Sequence, residues 1–332
     1  MHITILFGGV NRERLVSVAT AQALHSALPD ADLWFWDVDD CVHAVSSAAL
    51  AHHLRPFEIP FRADGSGLGG LSQALGQAKA ENRLLVLGLH GGMAENGELQ
   101  LMCEARGIPF TGSGSAASHL AFDKAAAKRF ATIAGLATTS SVALDDMEKA
   151  FAEHGKLIAK PARDGSSYGL IFVNATQDLV GVRNAAKSEE YLIEPFIPGI
   201  EATCGVLERP DGSLTALPTI EIIAEGGAFD YAAKYLASTT EEICPGRFTS
   251  KVNRQIMDGA ILAHRALSCS GYSRSDFIVP EHGPIYLETN TLPGLTAPSL
   301  YPKSLKAQGI EFTDFLNGQI ALAVQKARRT KV

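Results

Sequence analysis

Residues 84–89 form an unbroken apolar run with a polar residue on each side, and a strand of that kind has both faces buried. Helices packed on both sides of a parallel sheet provide that setting. Two more strand candidates, 3–7 and 33–38, flank a helix-like stretch at 12–28, so the first third of the chain reads as βαβ. Open α/β sheets bind ligands beyond the carboxyl ends of their strands, which here carry Gly8-Gly9 and His90. At 332 residues the chain is longer than one hydrophobic core usually spans, which implies two or three subdomains.

A net charge of −7 leaves no basic stripe for a nucleic-acid backbone, so an anionic ligand must be held by individual lysines, arginines and backbone amides. No run reaches 18 apolar residues, and no membrane-spanning helix is expected. The opening residues, Met1 to Gly9, lack a basic segment and a cleavage site, and they read as a first strand rather than a signal peptide. The five cysteines are odd in number, widely spaced and without a CxxC pair. Neither a disulfide framework nor a zinc site is expected from them, and the cytoplasm is the expected compartment.

Gly65-Ser66-Gly67-Leu68-Gly69-Gly70 matches GxGxxG. A dinucleotide site needs that turn directly after a buried strand, with an acidic residue closing the next strand. Here the next strand, 84–89, leads into His90, so 62–70 is expected to be a flexible loop. No GxxxxGK[ST] or HExxH motif is present. Farther on, a lysine-rich helix at 124–134 precedes strand candidates at 157–159 and 170–173, joined by a Gly/Ser loop over 163–169. Strand candidates follow at 202–207, 217–223, 276–279 and 285–288, with one helix at 253–266 and another closing the chain.

The sharpest chemical signal is the return of the chain through a short turn at 281–284. It lets Asp276, Glu288 and Asn290 share one face of two adjacent antiparallel strands. Two carboxylates and an amide oxygen are a hard-oxygen set suited to Mg²⁺ and a polyphosphate. An acidic hairpin facing solvent is the alternative, and it fits poorly with the apolar neighbours Phe277, Ile278, Val279, Ile285 and Leu287. The irregular stretch 291–300, beside Arg274, either offers free N–H groups to an oxyanion or merely returns the chain to its last helices.

As a set these residues resemble the D-alanine–D-alanine ligase family. The resemblance is carried in family order by Gly8-Gly9 with Glu13-Arg14 and Val16-Ser17, by Leu89-His90-Gly91 with Glu95-Asn96-Gly97, and by Thr111-Gly112-Ser113-Gly114 with Asp123-Lys124. It continues through Lys160-Pro161, Gly165-Ser166-Ser167, Glu194, Gly199 and Glu201, Asp230-Tyr231, Lys234-Tyr235 and Cys244-Pro245, and ends with Arg274, Asp276 and 288–294. It implies an α/β chain with the ATP-grasp fold. An N-terminal open parallel subdomain (1–118) would be followed by central (119–194) and C-terminal (195–332) subdomains with ATP between the latter two.

The roles implied by the resemblance are chemically coherent. Lys124 and Lys160 would neutralise phosphates, and Ser167 with the Gly165–Gly169 loop would close over them. Glu194 and Phe196 would flank the adenine, Glu201 would accept from the ribose, and Lys234 would reach the γ-phosphate from a mobile loop, 228–244. Asp276, Glu288 and Asn290 would hold two Mg²⁺ ions, for which Mn²⁺ can substitute. Glu13 would pair the ammonium of the first D-alanine, although a carboxylate at a helix start is favourable in any case. His90 would lie near that amino acid, and Ser299 with the Leu300 N–H would hold the carboxylate of the second D-alanine. Tyr235 would bond to Ser166, and Ser166 to Glu13, locking the mobile loop. Arg274 and the Gly294 N–H would stabilise the oxyanion formed when an amine attacks an acyl phosphate. The resemblance also implies a homodimer.

Asn11 departs from the family's serine, and Met93-Ala94-Glu95-Asn96-Gly97 from a Gly-Glu-Asp-Gly run. Pro195 and Leu295 are further departures, and none removes a catalytic group. Two rival readings remain: a divergent ATP-grasp ligase for other small amino or hydroxy acids, and a non-catalytic nucleotide-binding protein. Tyr235 matches dipeptide-forming members, and a binding module has no use for Arg274 as an oxyanion donor.

Overall fold

The computed structural model describes residues 1–163, 165, 168–223 and 240–329. The first sheet contains β1 (His2–Gly8), β2 (Asp32–Trp36), β3 (Cys41–Val45), β4 (Gly67–Gly70) and β5 (Arg83–Leu87), in the order β4-β3-β2-β1-β5. β1 lies parallel to both β2 and β5, and Ile5, Leu6 and Phe7 are fully enclosed, as the continuous apolar runs require. Helices α1 (Arg14–Ala27), α2 (Ser47–His52), α3 (Leu71–Ala80), α4 (Glu98–Arg106) and α5 (Ser115–Phe122) belong to this part of the chain.

The expectation of a flexible loop at 62–70 is corrected for its last four residues, which form the edge strand β4, antiparallel to β3. Glycine carries no alternating side-chain pattern, so the strand had no signature in the sequence. No dinucleotide turn forms there, because β4 runs directly into α3 at the sheet edge. The second strand also ends at Trp36 rather than residue 38, since Asp37 accepts the backbone N–H groups of Asp39 and Cys41 and turns the chain into β3.

Helices α6 (Lys124–Ile133) and α7 (Met147–His154) lead to a three-stranded antiparallel sheet, β7-β6-β8, of β6 (Leu157–Pro161), β7 (Ile171–Val173) and β8 (Tyr191–Pro195), with α8 (Leu179–Ala185) between the last two. A six-stranded sheet follows, made of β9 (Ile200–Glu208), β10 (Leu214–Ala216), β11 (Ile220–Ile223), β12 (Glu241–Ile243), β13 (Tyr272–Val279) and β14 (Ile285–Asn290). Its order is β12-β11-β9-β13-β14, with β10 paired to β9. Helix α9 (Ser250–Ala266) covers one face through Ile256, Ala260 and Ala263, which pack with Ala202, Cys204 and Phe277. Helices α10 (Leu300–Ala307) and α11 (Phe312–Arg329) close the chain. Leu207, Leu217, Tyr272, Tyr301 and Phe315 join the core of the first sheet, so the two ends of the chain share one apolar interior. Among the described residues, no helix is long and apolar enough to cross a membrane.

Candidate active site

The β13–β14 hairpin places Asp276 directly opposite Glu288 and Arg274 opposite Asn290, with a register shift after Asp276. Arg274 grips Asp276 with a fork, Nε to Oδ1 at 2.9 Å and a terminal nitrogen to Oδ2 at 2.8 Å. Thr203 of β9 donates to Oδ1 at 2.6 Å, and the Asn290 amide nitrogen donates to Oδ2 at 3.2 Å. With its nitrogen so engaged, Asn290 keeps its carbonyl oxygen as a remaining ligand. Two carboxylates and this oxygen fit a hard divalent cation, which would replace hydrogen-bond donors now on Asp276. Lys124, at the start of α6, stands 3.7 Å from Glu288. A cation at a helix N-terminus opposes the helix dipole, so its place there depends on that acidic neighbour.

Glu194 lies on β8 with almost no exposure. One carboxylate oxygen takes the ammonium of Lys128 and the hydroxyl of Thr139, and the other faces Lys160 at 3.2 Å. Burial alone would raise this carboxyl, but Lys160 and Lys128 outweigh it and hold it below the ordinary range. Burial and the neighbouring Lys160 push Lys128 down to about 8, against the pull of Glu194. Both oxygens of Glu194 are therefore occupied, and an adenine amino group would have to share or displace a lysine. Phe196 packs edge-on against Phe172, and Glu201 sits on β9 opposite Ile222 and Ile278.

On the other wall, Glu13 sits at the N-cap position of α1 without a side-chain cap bond and is buried against Gly91, whose φ of +65° suits glycine. Asn11 fastens this corner, donating to the His90 carbonyl at 2.7 Å and accepting the Glu13 N–H at 2.8 Å. The departure from serine thus has a structural task. His90 Nδ1 faces the Leu292 carbonyl at 3.2 Å and Nε2 faces the Thr20 hydroxyl at 2.8 Å. A carbonyl only accepts, so Nδ1 carries the proton and Nε2 accepts from Thr20. Burial brings His90 down to about 4, with Leu292 opposing and Arg274 assisting, so the ring is neutral. Glu95 is raised to about 8 by burial and by the nearby Glu13, against the Gly91 N–H and Arg274.

These walls meet in a cleft bordered by Glu95, Lys124, Gly165, Glu288 and Asn290. A Cβ on Gly165 would stand 3.5 Å from the Glu13 carboxylate and 3.7 Å from that of Glu95, so this loop residue bridges the two sides. Gly294 lies against Ser299, whose hydroxyl pairs with Thr296 at 2.7 Å instead of capping α10; Leu300 is the first residue of that helix. Ser166, Ser167, Lys234 and Tyr235 lie outside the described residues. Sequence reasoning missed Lys128, Thr139, Thr203 and Thr20. Lys128, one helical turn from Lys124, was the one with a local signal.

A family profile described as D-ala D-ala ligase N-terminus matches residues 2–113, and one described as D-ala D-ala ligase C-terminus matches 139–321. A D-alanine–D-alanine ligase of Oleidesulfovibrio alaskensis is 37% identical over 98% of this chain and 97% of its own length. Another, from Halalkalibacterium halodurans, is 32% identical over 98% of this chain and all of its own. Among solved structures, VanG D-Ala:D-Ser ligase from Enterococcus faecalis superposes with a TM-score of 0.79 at 26% identity, covering 97% of this chain and 99% of that one. With matches to both halves and over its full length, the chain belongs to the D-alanine–D-alanine ligase family.

Proposed function

We propose that the chain joins two D-alanines to D-alanyl-D-alanine at the expense of ATP, through an acyl phosphate, and so supplies a peptidoglycan precursor. The observation that carries this reading is the single cleft in which Lys124, Glu288 and Asn290 face Glu95 and Gly165, with Glu13 behind them. We assign the three sheets to subdomains 1–118, 119–194 and 195–332.

In this reading Glu13 pairs the ammonium of the first D-alanine, and neutral His90 shapes its pocket without adding charge. The D-alanine carboxylate attacks the γ-phosphate, the bond to the β-phosphate oxygen breaks and ADP leaves, while Lys124 and Lys160 offset polyphosphate charge. Asp276, Glu288 and Asn290 would hold Mg²⁺, which supplies further positive charge to the transferring phosphoryl group. The amine of the second D-alanine, held by Ser299 and the Leu300 N–H, then attacks the acyl carbonyl. Arg274 and the Gly294 N–H receive the oxyanion, and phosphate departs.

The test is phosphate release from ATP and Mg²⁺ with D-alanine, with D-alanine plus D-serine, and with L-alanine. D-alanine alone should suffice, with one dipeptide per phosphate. Asp276→Asn and Glu288→Gln should each abolish turnover while leaving the fold intact, because a hard cation needs ionised oxygen ligands. Absence of D-alanine-dependent phosphate release in the parent, or near-parental turnover of either variant at low Mg²⁺, would overturn the reading.

A further inference from the structure

Among the described residues, the one place where three His, Cys, Asp or Glu ligand atoms lie within 4.8 Å of one another is not the cleft but the β2–β3 hairpin, at Asp37, Cys41 and His43. We propose that these three side chains form a binding site for one divalent ion of the zinc class. No paired cysteines mark such a site in the sequence, because this ligand set mixes three residue types across seven positions.

The hairpin prepares each ligand. Asp37 Oδ1 accepts the N–H groups of Asp39 at 2.9 Å and Cys41 at 2.8 Å, which turns Oδ2 toward the imidazole. That oxygen meets His43 Nε2 at 2.8 Å. Ligand pairs on a tetrahedral ion stand about 3 Å apart or more, given metal bonds of roughly 2.0–2.3 Å, so only a small opening is required. Cys41 and His43 are two residues apart on β3 and share a face. Beside them runs β4, where Gly67 pairs with His43, and a Cβ on Gly67 would lie 3.4 Å from Cys41 Sγ and 3.9 Å from His43 Nδ1. Here the glycine run finds a use, keeping side-chain bulk away from the thiol and imidazole.

Access and charge agree with an ion from solvent. The side chains of Asp37 and His43 are 22% and 21% exposed, and Cys41 is half-buried. Asp39 and Asp40 add negative charge in the same turn. A thiolate with an imidazole and one carboxylate oxygen selects a borderline cation such as Zn²⁺ over Mg²⁺ or Ca²⁺, and three protein ligands leave a fourth position for water. On binding, the Cys41 thiol loses its proton to solvent, as does His43 if it is charged, and metal–sulfur and metal–nitrogen bonds form without any redox change. The bound ion would brace the turn after Trp36, whose carbonyl accepts the Gly9 N–H at 2.7 Å.

The test uses the full chain, stripped with a chelator and titrated with Co²⁺ and then with Zn²⁺ against a chromophoric competitor. The parent should show the near-ultraviolet absorption of one thiolate–cobalt bond, apart from any Co²⁺ held by oxygen ligands in the cleft. Cys41→Ser should lose that band, and Asp37→Asn and His43→Gln should weaken Zn²⁺ at least tenfold. Zn²⁺ should also raise the melting temperature of the parent and not of Cys41→Ser. A missing band in the parent, a band that survives Cys41→Ser, or equal Zn²⁺ affinity in all four proteins would overturn the site.

Discussion

Burial shifts the protonation of both Lys128 and Glu95. With its side chain 6% exposed, Lys128 meets a Glu194 side chain that is 2% exposed, so each charge depends on the other. Lys128→Met would leave Glu194 with Lys160 as its one cation, and breaking a buried pair costs about 3–5 kcal/mol. Because Lys160 and Thr139 stay, the loss in urea unfolding should fall near the lower end, about 3 kcal/mol. For Glu95 the folded form titrates at about 8, above its ordinary 4.5, so the folded protein binds the extra proton between those values. The resulting stability is complete below the lower value and is lost as pH rises through the upper one. Unfolding free energy measured in chelator should therefore decline from pH 5 toward pH 9 in the parent. Glu95→Gln should flatten that decline, and an unchanged slope would refute the assignment.

Helix α1 and the end of β5 are joined where Glu13 meets Gly91. A Cβ on Gly91 would overlap the Glu13 carboxylate, and φ is +65° at that position, so Gly91→Ala must displace Glu13. We expect it to mimic Glu13→Ala. Each should raise KM for the first amino acid by roughly 10- to 100-fold, the loss of a charge-assisted hydrogen bond of about 1.5–3 kcal/mol, with KM for ATP little changed. Steady-state kinetics with each substrate varied in turn gives the answer. Equal effects on both substrates would make Glu13 a helix-start residue and nothing more. The elements differ in how plainly the sequence wrote them. The β13–β14 hairpin was readable from two apolar stretches carrying carboxylates on either side of a short turn, whereas β4 has four residues, three of them glycine, and no pattern to read.

The molecule as a whole has two kinds of interior. The first sheet shares its core with Tyr272, Tyr301 and Phe315, while the central three-stranded sheet has its own small core around Leu157, Val173, Leu179 and Ile193. Native-state hydrogen exchange should therefore show β6, β7 and β8 opening at lower free energy than β1, β5, β9 and β13. Phe315→Ala should lower the opening energy of β1 and β13 together, by about 3–5 kcal/mol, and leave β6 nearly unaffected. A uniform opening energy across all three sheets would argue against separate cores.

The sequence by itself determined the parallel β1 and β5, the β13–β14 hairpin and the family, because apolar patterning and short motifs act over a few neighbouring residues. Only the tertiary structure decided which charges meet. Lys128 and Glu194 are 66 positions apart, and His90 and Leu292 are 202 apart. Cys41 and His43 also needed the turn at Asp37 before they faced a carboxylate. Ion-pair strength and protonation depend on separation and on removal from water, and both arise only when the sheets are stacked against one another.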